Sequence, residues 1–429
     1  MAANRKLLVS FAIVALLVAA GVVGAIVYRA AIPPIAKPAA SSFPKQLIER
    51  GAALAAIGDC DVCHTAPNGQ PYAGGRPIAT PFGTLYSDNI TPDGTSGIGT
   101  WSNAAFKRAM RDGISRSGRH LYPALPYEHF TQVNDDDLDA LYAFLMTRRP
   151  VMAKAPENHL IPPLGFRPLL AFWNLLYLHH GTFVPDPGKS DEWNRGAYLV
   201  RGLGHCGSCH TPRNIAGGEE SSHAFAGGTA EGWIAPALDT SNPAARTWTA
   251  DALYTYLRTG VHENHSAAAG PMGPVTHGLA AAPATDVRAI AVYVASLMNG
   301  MPGIVQGDSL HDKEAAAASE HPAGAALFNG ACSACHGAGA PMMAQGRPAL
   351  SDVSALQESD PRDTIQVILR GLRQPTGAQG PYMPPFADSL TDAQIVEITA
   401  YLRSRYSEHA AWPELASAVT AARKEGTEP

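Results

Sequence analysis

Cys60-Asp61-Val62-Cys63-His64 recurs as Cys206-Gly207-Ser208-Cys209-His210 and again as Cys332-Ser333-Ala334-Cys335-His336. C-x-x-C-H is the attachment sequence for a c-type haem: both thiols add to the porphyrin vinyl groups as thioethers. On a helix, cysteines three apart share one face and reach the same porphyrin edge. The histidine that follows is placed as the proximal iron ligand. The three motifs consume all six cysteines of the chain. Structural disulfides would not set a histidine after every second cysteine, and zinc sites need C-x-x-C units in pairs. The reading is therefore three covalently bound haems c, held by Cys60, Cys63, Cys206, Cys209, Cys332 and Cys335, with His64, His210 and His336 as iron ligands.

The chain has 429 residues, enough for two to four domains, and a net charge of −5, which gives no case for nucleic acid. Glycine (41) and proline (35) are abundant and aromatics are few, which suits small helical units joined by ordered loops. Arg5 and Lys6 precede an uninterrupted apolar run from Leu7 to Val27. At about 1.5 Å per helical residue, that run would cross about 30 Å of hydrocarbon. It is read as an uncleaved signal-anchor with its N-terminus in the cytoplasm, by the positive-inside bias, with cleavage near Ala30-Ala31 as the alternative. The expected location is the cytoplasmic membrane, with the body facing the periplasm.

Each motif stands inside a repeated pattern. A small-residue helix leads in: Arg50-Gly51-Ala52 to Cys60, Arg195-Gly196-Ala197 to Cys206, Gly324-Ala325 to Cys332. The glycines permit close helix–helix approach. An acid-led helix with apolar residues at helical spacing and a tyrosine closes each unit: Asp137 to Tyr142, Asp286 to Tyr293, Asp392 to Tyr401. The expected fold is all-α with little strand. Its division is a signal-anchor over 1–30, a linker over 31–44, units over 45–155, 191–305 and 306–410, a linker over 156–190 and a tail over 411–429. The apolar run from Leu169 to Tyr177 is read as a linker helix packed on its own domains, in preference to a docking surface.

Each iron needs a sixth ligand, and methionine is the usual one in small c-type cytochromes. Met272 and Met383 stand at matching places among glycine and proline before the closing helices. Met342 and Met343 follow His336 too closely, and Met110 and Met146 read as core. In the first unit Leu125 occupies the place where methionine is expected. His129, four residues on, is the best substitute, with His120 a weaker one. An open iron site is the remaining possibility, and it would make the chain a peroxidase-like haem enzyme.

The chain resembles the membrane-bound triheme cytochrome c subunit of periplasmic dehydrogenases. The resemblance is carried by Tyr86 to Asp93, Gly97-Ile98-Gly99, Trp101-Ser102 and Leu121 to Ala124 in the first unit. The second unit carries Gly196 to Val200, Gly204-His205-Cys206, Cys209 to Asn214 and Ala224 to Gly228. It implies three tandem class I cytochrome c domains behind one N-terminal transmembrane helix. It also implies an electron-transfer subunit, not itself an enzyme. The expected partners are a catalytic dehydrogenase, a small iron–sulfur subunit, and membrane quinone or a terminal oxidase. Tyr122 to Phe130 fits the branch that serves molybdenum hydroxylases of aldehydes or N-heterocycles. The alternative branch serves pyrroloquinoline-quinone alcohol dehydrogenases and flavin sugar or gluconate dehydrogenases.

Overall fold

The structure, a computed structural model, describes residues 21–244, 247–298, 313–337, 339–340, 348–372 and 383–425. The chain divides into two compact units. One comprises residues up to Ala55 with Cys60–Val184, the other Ala56–Asp59 with Pro185 onward.

In the first unit, α1 (Lys45–Ile57) leads to the one-turn helix α2 (Cys60–Cys63). A three-stranded antiparallel sheet follows, of β1 (Pro77–Thr80), β2 (Gly83–Tyr86) and, later in the chain, β3 (His159–Leu160), with β2 in the middle. Between β2 and β3 lie α3 (Asn103–Asp112), the one-turn α4 (Tyr127–Phe130) and α5 (Asp135–Met146); α6 (Leu170–Tyr177) follows β3. Ser102 and Asn134 cap α3 and α5, each side chain accepting from the backbone N–H three residues on. Leu138, Leu141, Leu145 and Met146 of α5 form the core, and Met110 of α3 is buried too, as the spacing predicts.

In the second unit, α7 (Asp191–Arg201) leads to α8 (Gly207–His210), then to the hairpin of β4 (Gly228–Ala230) and β5 (Trp233–Ala235). Helices α9 (Ala250–Thr259), α10 (Met272–Ala281) and α11 (Ala284–Leu297) complete that part. After α12 (Glu314–Glu320), α13 (Pro322–Ala331) leads to α14 (Ser333–His336), and α15 (Arg362–Arg370) and α16 (Asp392–Tyr406) follow. The tail is part of this core. α17 (Leu415–Glu425) buries Val419 and Ala422, and Arg423 donates to Asp392 at 2.5 Å and to the Leu390 carbonyl at 2.9 Å.

The same helix crossing is built three times on glycine. A methyl group on Gly51 would collide with the Ala140 carbonyl and lie 2.7 Å from Phe144 Cβ. On Gly196 it would collide with the Ala289 carbonyl and lie 2.8 Å from Tyr293 Cβ, and on Gly324 with the Glu397 carbonyl and 2.7 Å from Tyr401 Cβ. This register corrects the aligned residues. Phe144, not Tyr142, takes the aromatic place in the first unit, and Tyr142 instead donates to the Trp101 carbonyl at 2.8 Å. Arg50 pairs with Asp137 and Arg195 with Asp286 across the first two crossings. At the third, Ala323 precedes the glycine and Gln394 stands at the acid's place, so Asp392 is left for Arg423.

The expected all-α fold with little strand is overturned: among the described residues five short strands make the chain mixed. Three- and four-residue strands such as Gly228-Thr229-Ala230 carry no readable alternation, which is why the sequence hides them. Among the described residues no helix is long and apolar enough to cross a membrane. Most of the run from Leu7 to Val27 lies outside the described residues; residues 21–27 are helical.

Residues 27–35, the end of the expected anchor and the start of the expected linker, are hydrogen-bonded along the first unit. Ile32 N–H donates to the Arg116 carbonyl at 2.8 Å and Ile35 N–H to the Thr100 carbonyl at 3.0 Å. Arg108 reaches the Ala30 carbonyl at 2.7 Å, and His120 Nε2–H donates to the Val27 carbonyl at 2.9 Å. Helix α6 is packed on one face only. Ala171 is buried, Asn174 accepts from the Tyr127 hydroxyl at 2.7 Å, and Trp173 lies edge-on to Tyr127. Phe172, Leu175 and Leu176 are exposed.

Candidate haem-binding sites

Each attachment motif folds as a single helical turn: Cys60–Cys63, Gly207–His210 and Ser333–His336. The turn closes because the histidine N–H donates back to the first cysteine's carbonyl, at 3.0 Å for His64, 3.0 Å for His210 and 2.9 Å for His336. That puts the two thiols of each pair on one face. All six cysteines are half-buried and free of disulfides.

The short strands explain how the histidines are aimed. The chain leaving β2 brings the Asp88 carbonyl oxygen within 2.6 Å of His64 Nδ1. The chain leaving β5 brings the Pro236 carbonyl within 2.7 Å of His210 Nδ1. An imidazole with Nδ1–H committed to a carbonyl presents a bare Nε2, the tautomer an iron ligand requires. Burial lowers the pKa of both His64 and His210, against the opposing pull of those carbonyls, so both rings stay neutral. Asp88 and Pro236 are invisible as orienting groups in the sequence, because a backbone carbonyl has no side-chain signature. The equivalent stretch after His336, which includes Met342 and Met343, lies mostly outside the described residues.

In the second unit one apolar cavity is lined by Cys206, Cys209, His210 and Met272, and also by Cys332, Cys335, His336 and Met383. Both methionines expected as ligands therefore face the same space as their motif. Met383 arrives from a two-residue bridge, its N–H and carbonyl bonded to Leu372 at 3.0 and 2.9 Å. Met272 is the first residue of α10 rather than part of a loop; Pro274, which cannot donate, is tolerated in that first turn. Trp233 and Trp248 also line the cavity. In the first unit His129 is buried within α4, while Leu125 just before it is half-buried. His120 is committed to the Val27 carbonyl. Asn89 is structural: it is buried, and its amide donates to the Val151 and Ala153 carbonyls at 2.7 and 3.2 Å. His265 is buried and stacked on Trp248 with centroids 3.7 Å apart.

These residues fit a covalently held haem and fit a thiolate metal site poorly. Burial, reinforced by the partner thiol, pushes Cys206 up to about 12 and Cys332 up to about 11, so both remain thiols near neutrality. Zinc binding and dithiol redox exchange both use thiolates. Among the described residues no cluster of three or more His, Cys, Asp or Glu side chains is arranged for a metal ion. Paired thiols on one helical face, a neutral aimed imidazole and an apolar cavity define a c-type cytochrome.

Comparison with known proteins agrees. The cytochrome c family matches residues 48–149, and the family described as cytochrome c oxidase, cbb3-type, subunit III matches residues 319–402. A nicotinate dehydrogenase subunit of Pseudomonas putida is 46% identical over 402 residues; the match covers 93% of this chain but 34% of that protein, so the chain spans about a third of it. The gluconate 2-dehydrogenase cytochrome c subunit of Pantoea cypripedii is 36% identical, with 89% of this chain and 90% of that protein covered. The alcohol dehydrogenase (quinone) cytochrome c subunit of Gluconacetobacter polyoxogenes is 36% identical, covering 89% and 85%. The chain belongs to this family of dehydrogenase cytochrome c subunits.

Proposed function

We propose that the chain is the electron-transfer subunit of a dehydrogenase complex and carries three covalent haems c. The observation that carries this reading is the repeated one-turn helix with its paired thiols and histidine, at Cys60–His64, Cys206–His210 and Cys332–His336. Haem c supplies reversible one-electron chemistry when bound. The chain's residues then have three tasks. The cysteine pairs fix the porphyrin. Asp88 and Pro236 hold the imidazoles in one tautomer. Met272 and Met383 would supply thioether sulfur to the iron, and His129 would supply nitrogen in the first unit.

The partner we favour is a molybdenum hydroxylase of aldehydes or N-heterocycles, working through a small iron–sulfur subunit. The support is the Tyr122 to Phe130 stretch and the 46% identity to the nicotinate dehydrogenase subunit. The body would stand on the periplasmic face of the cytoplasmic membrane and deliver electrons to quinone or a terminal oxidase. A second reading, service to an alcohol, sugar or gluconate dehydrogenase, is favoured by the near full-length coverage of the gluconate 2-dehydrogenase subunit. Gentle detergent extraction with co-purification tests both. Molybdenum and iron–sulfur signals in the partner support the first. Pyrroloquinoline quinone or flavin without molybdenum support the second. A pyridine haemochromogen assay returning fewer than three haems per chain would refute the haem count.

A further inference from the structure

The second and third attachment motifs open into one apolar cavity, and polar bonds cross the seam between their surroundings. One stands out. Asp363, on α15 of the third motif's helices, accepts from the backbone N–H of Ile234 in β5 at 2.8 Å. Its neighbour Arg362 leans on the Gly232 carbonyl at the start of the same strand, at 3.4 Å. β5 belongs to the second motif's surroundings, since its end delivers the Pro236 carbonyl to His210. The strand also carries Trp233, which is buried. The indole lies flat against Gly270, whose φ is +49°; a Cβ at Gly270 would run into the fused ring. Gly270 is two residues before Met272. A continuous path of contact thus runs from Asp363 through Ile234 and Trp233 to Gly270 and the methionine.

We infer that Asp363 is a positioning residue for the second haem site, acting from within the third. By anchoring β5 it holds Trp233 in place, and Trp233 holds the Gly270–Met272 turn so that the thioether faces the cavity. The same strand positions the Pro236 carbonyl, so one carboxylate braces the surroundings of both His210 and Met272. Ile234 and Asp363 themselves line the cavity, together with Tyr256. The inference rests on the reading of Met272 as an axial ligand.

The test uses the full chain purified with its haems and the long-wavelength sulfur-to-iron charge-transfer band of the ferric protein. Met272→Ala is expected to remove one methionine-ligated site's share of that band. Asp363→Leu, which has no acceptor for Ile234 N–H, should lose at least half of that share. Asp363→Asn, whose carboxamide oxygen still accepts, should keep it. Trp233→Phe keeps the backbone bond but withdraws the indole, and should reproduce the Asp363→Leu loss. With the band reduced in Met272→Ala, a wild-type band in either Asp363→Leu or Trp233→Phe overturns the inference and leaves the ligand reading intact. An unchanged band in Met272→Ala removes the ligand reading and the inference with it. If Asp363→Leu fails to accumulate, Trp233→Phe against Met272→Ala decides on the same terms.

Discussion

Arg195 holds Asp286 with two parallel bonds, Nε to Oδ1 at 2.8 Å and Nη2 to Oδ2 at 2.9 Å. The pair ties the helix entering the second motif to the helix that closes around it. Arg50 and Asp137 do the same in the first unit at 2.6 Å, with the carboxylate side chain there fully buried. Removing the arginine leaves a buried carboxylate with less compensation, the costly half of such a pair. Arg50→Ala is expected to destabilise the first unit by about 2–3 kcal/mol, discounted because Arg50 is itself half exposed. Arg195→Ala should cost about 1–2 kcal/mol, because Asp286 keeps some contact with water. Urea titrations of the two variants would show the order, and equal losses would contradict it.

The glycine crossings make a sharper prediction. Gly51→Ala, Gly196→Ala and Gly324→Ala each drive a methyl group into a facing backbone carbonyl. Overpacking of this kind costs roughly 1–3 kcal/mol where side chains can yield, and a backbone carbonyl yields less. Each variant should unfold at lower urea than wild type, as read by far-ultraviolet circular dichroism of the purified full chain. Wild-type midpoints in all three would mean the helices separate freely.

Two half-buried acids set a pH dependence. Burial, with Asp363 and Asp360 adding, raises Glu358 to about 7; burial also raises Asp363 to about 6. Their unfolded values are about 4.3 and 3.9. Between those values the folded state binds more protons, so stability is greatest at low pH and falls as pH rises from about 4 to about 7. Glu358→Gln should therefore be more stable relative to wild type at pH 8 than at pH 4.5. The difference should be about 1–2 kcal/mol after discounting for partial exposure. A variant whose offset from wild type is the same at both pH values would rule out the buried charge as the cause.

For the first site the test is spectroscopic. His129 is buried in α4 and Leu125 cannot ligate. His129→Ala is expected to make the first haem high-spin, while Leu125→Ala leaves it low-spin. Ferric visible and electron paramagnetic resonance spectra separate the two, and a low-spin His129→Ala would sink the assignment.

Much of this is legible in the chain itself. The motif turns, the crossing glycines and the apolar spacing of α5, α11 and α16 follow from local rules that a single sequence carries. Met272 and Met383 stand out because they sit among glycine and proline. The hairpins do not, since Pro77–Thr80 and Trp233–Ala235 are too short for periodicity to speak. The aligned tyrosines mislead by two residues in the first unit, because Tyr142 and Phe144 are both aromatic and only packing chooses between them. Nothing local tells that Asp363 meets Ile234, which lies 129 positions away.

The pinned stretch from Val27 to Ile35 has a mechanical side. A pull applied upstream of it would not first straighten a slack tether. The load would pass at once into Arg108, Arg116 and His120, and through Arg167, which donates to the His120 carbonyl at 2.9 Å, into the segment bearing α6. Whatever holds the chain by that end also fixes which way the first unit faces, as a stiff bracket does and a cord does not.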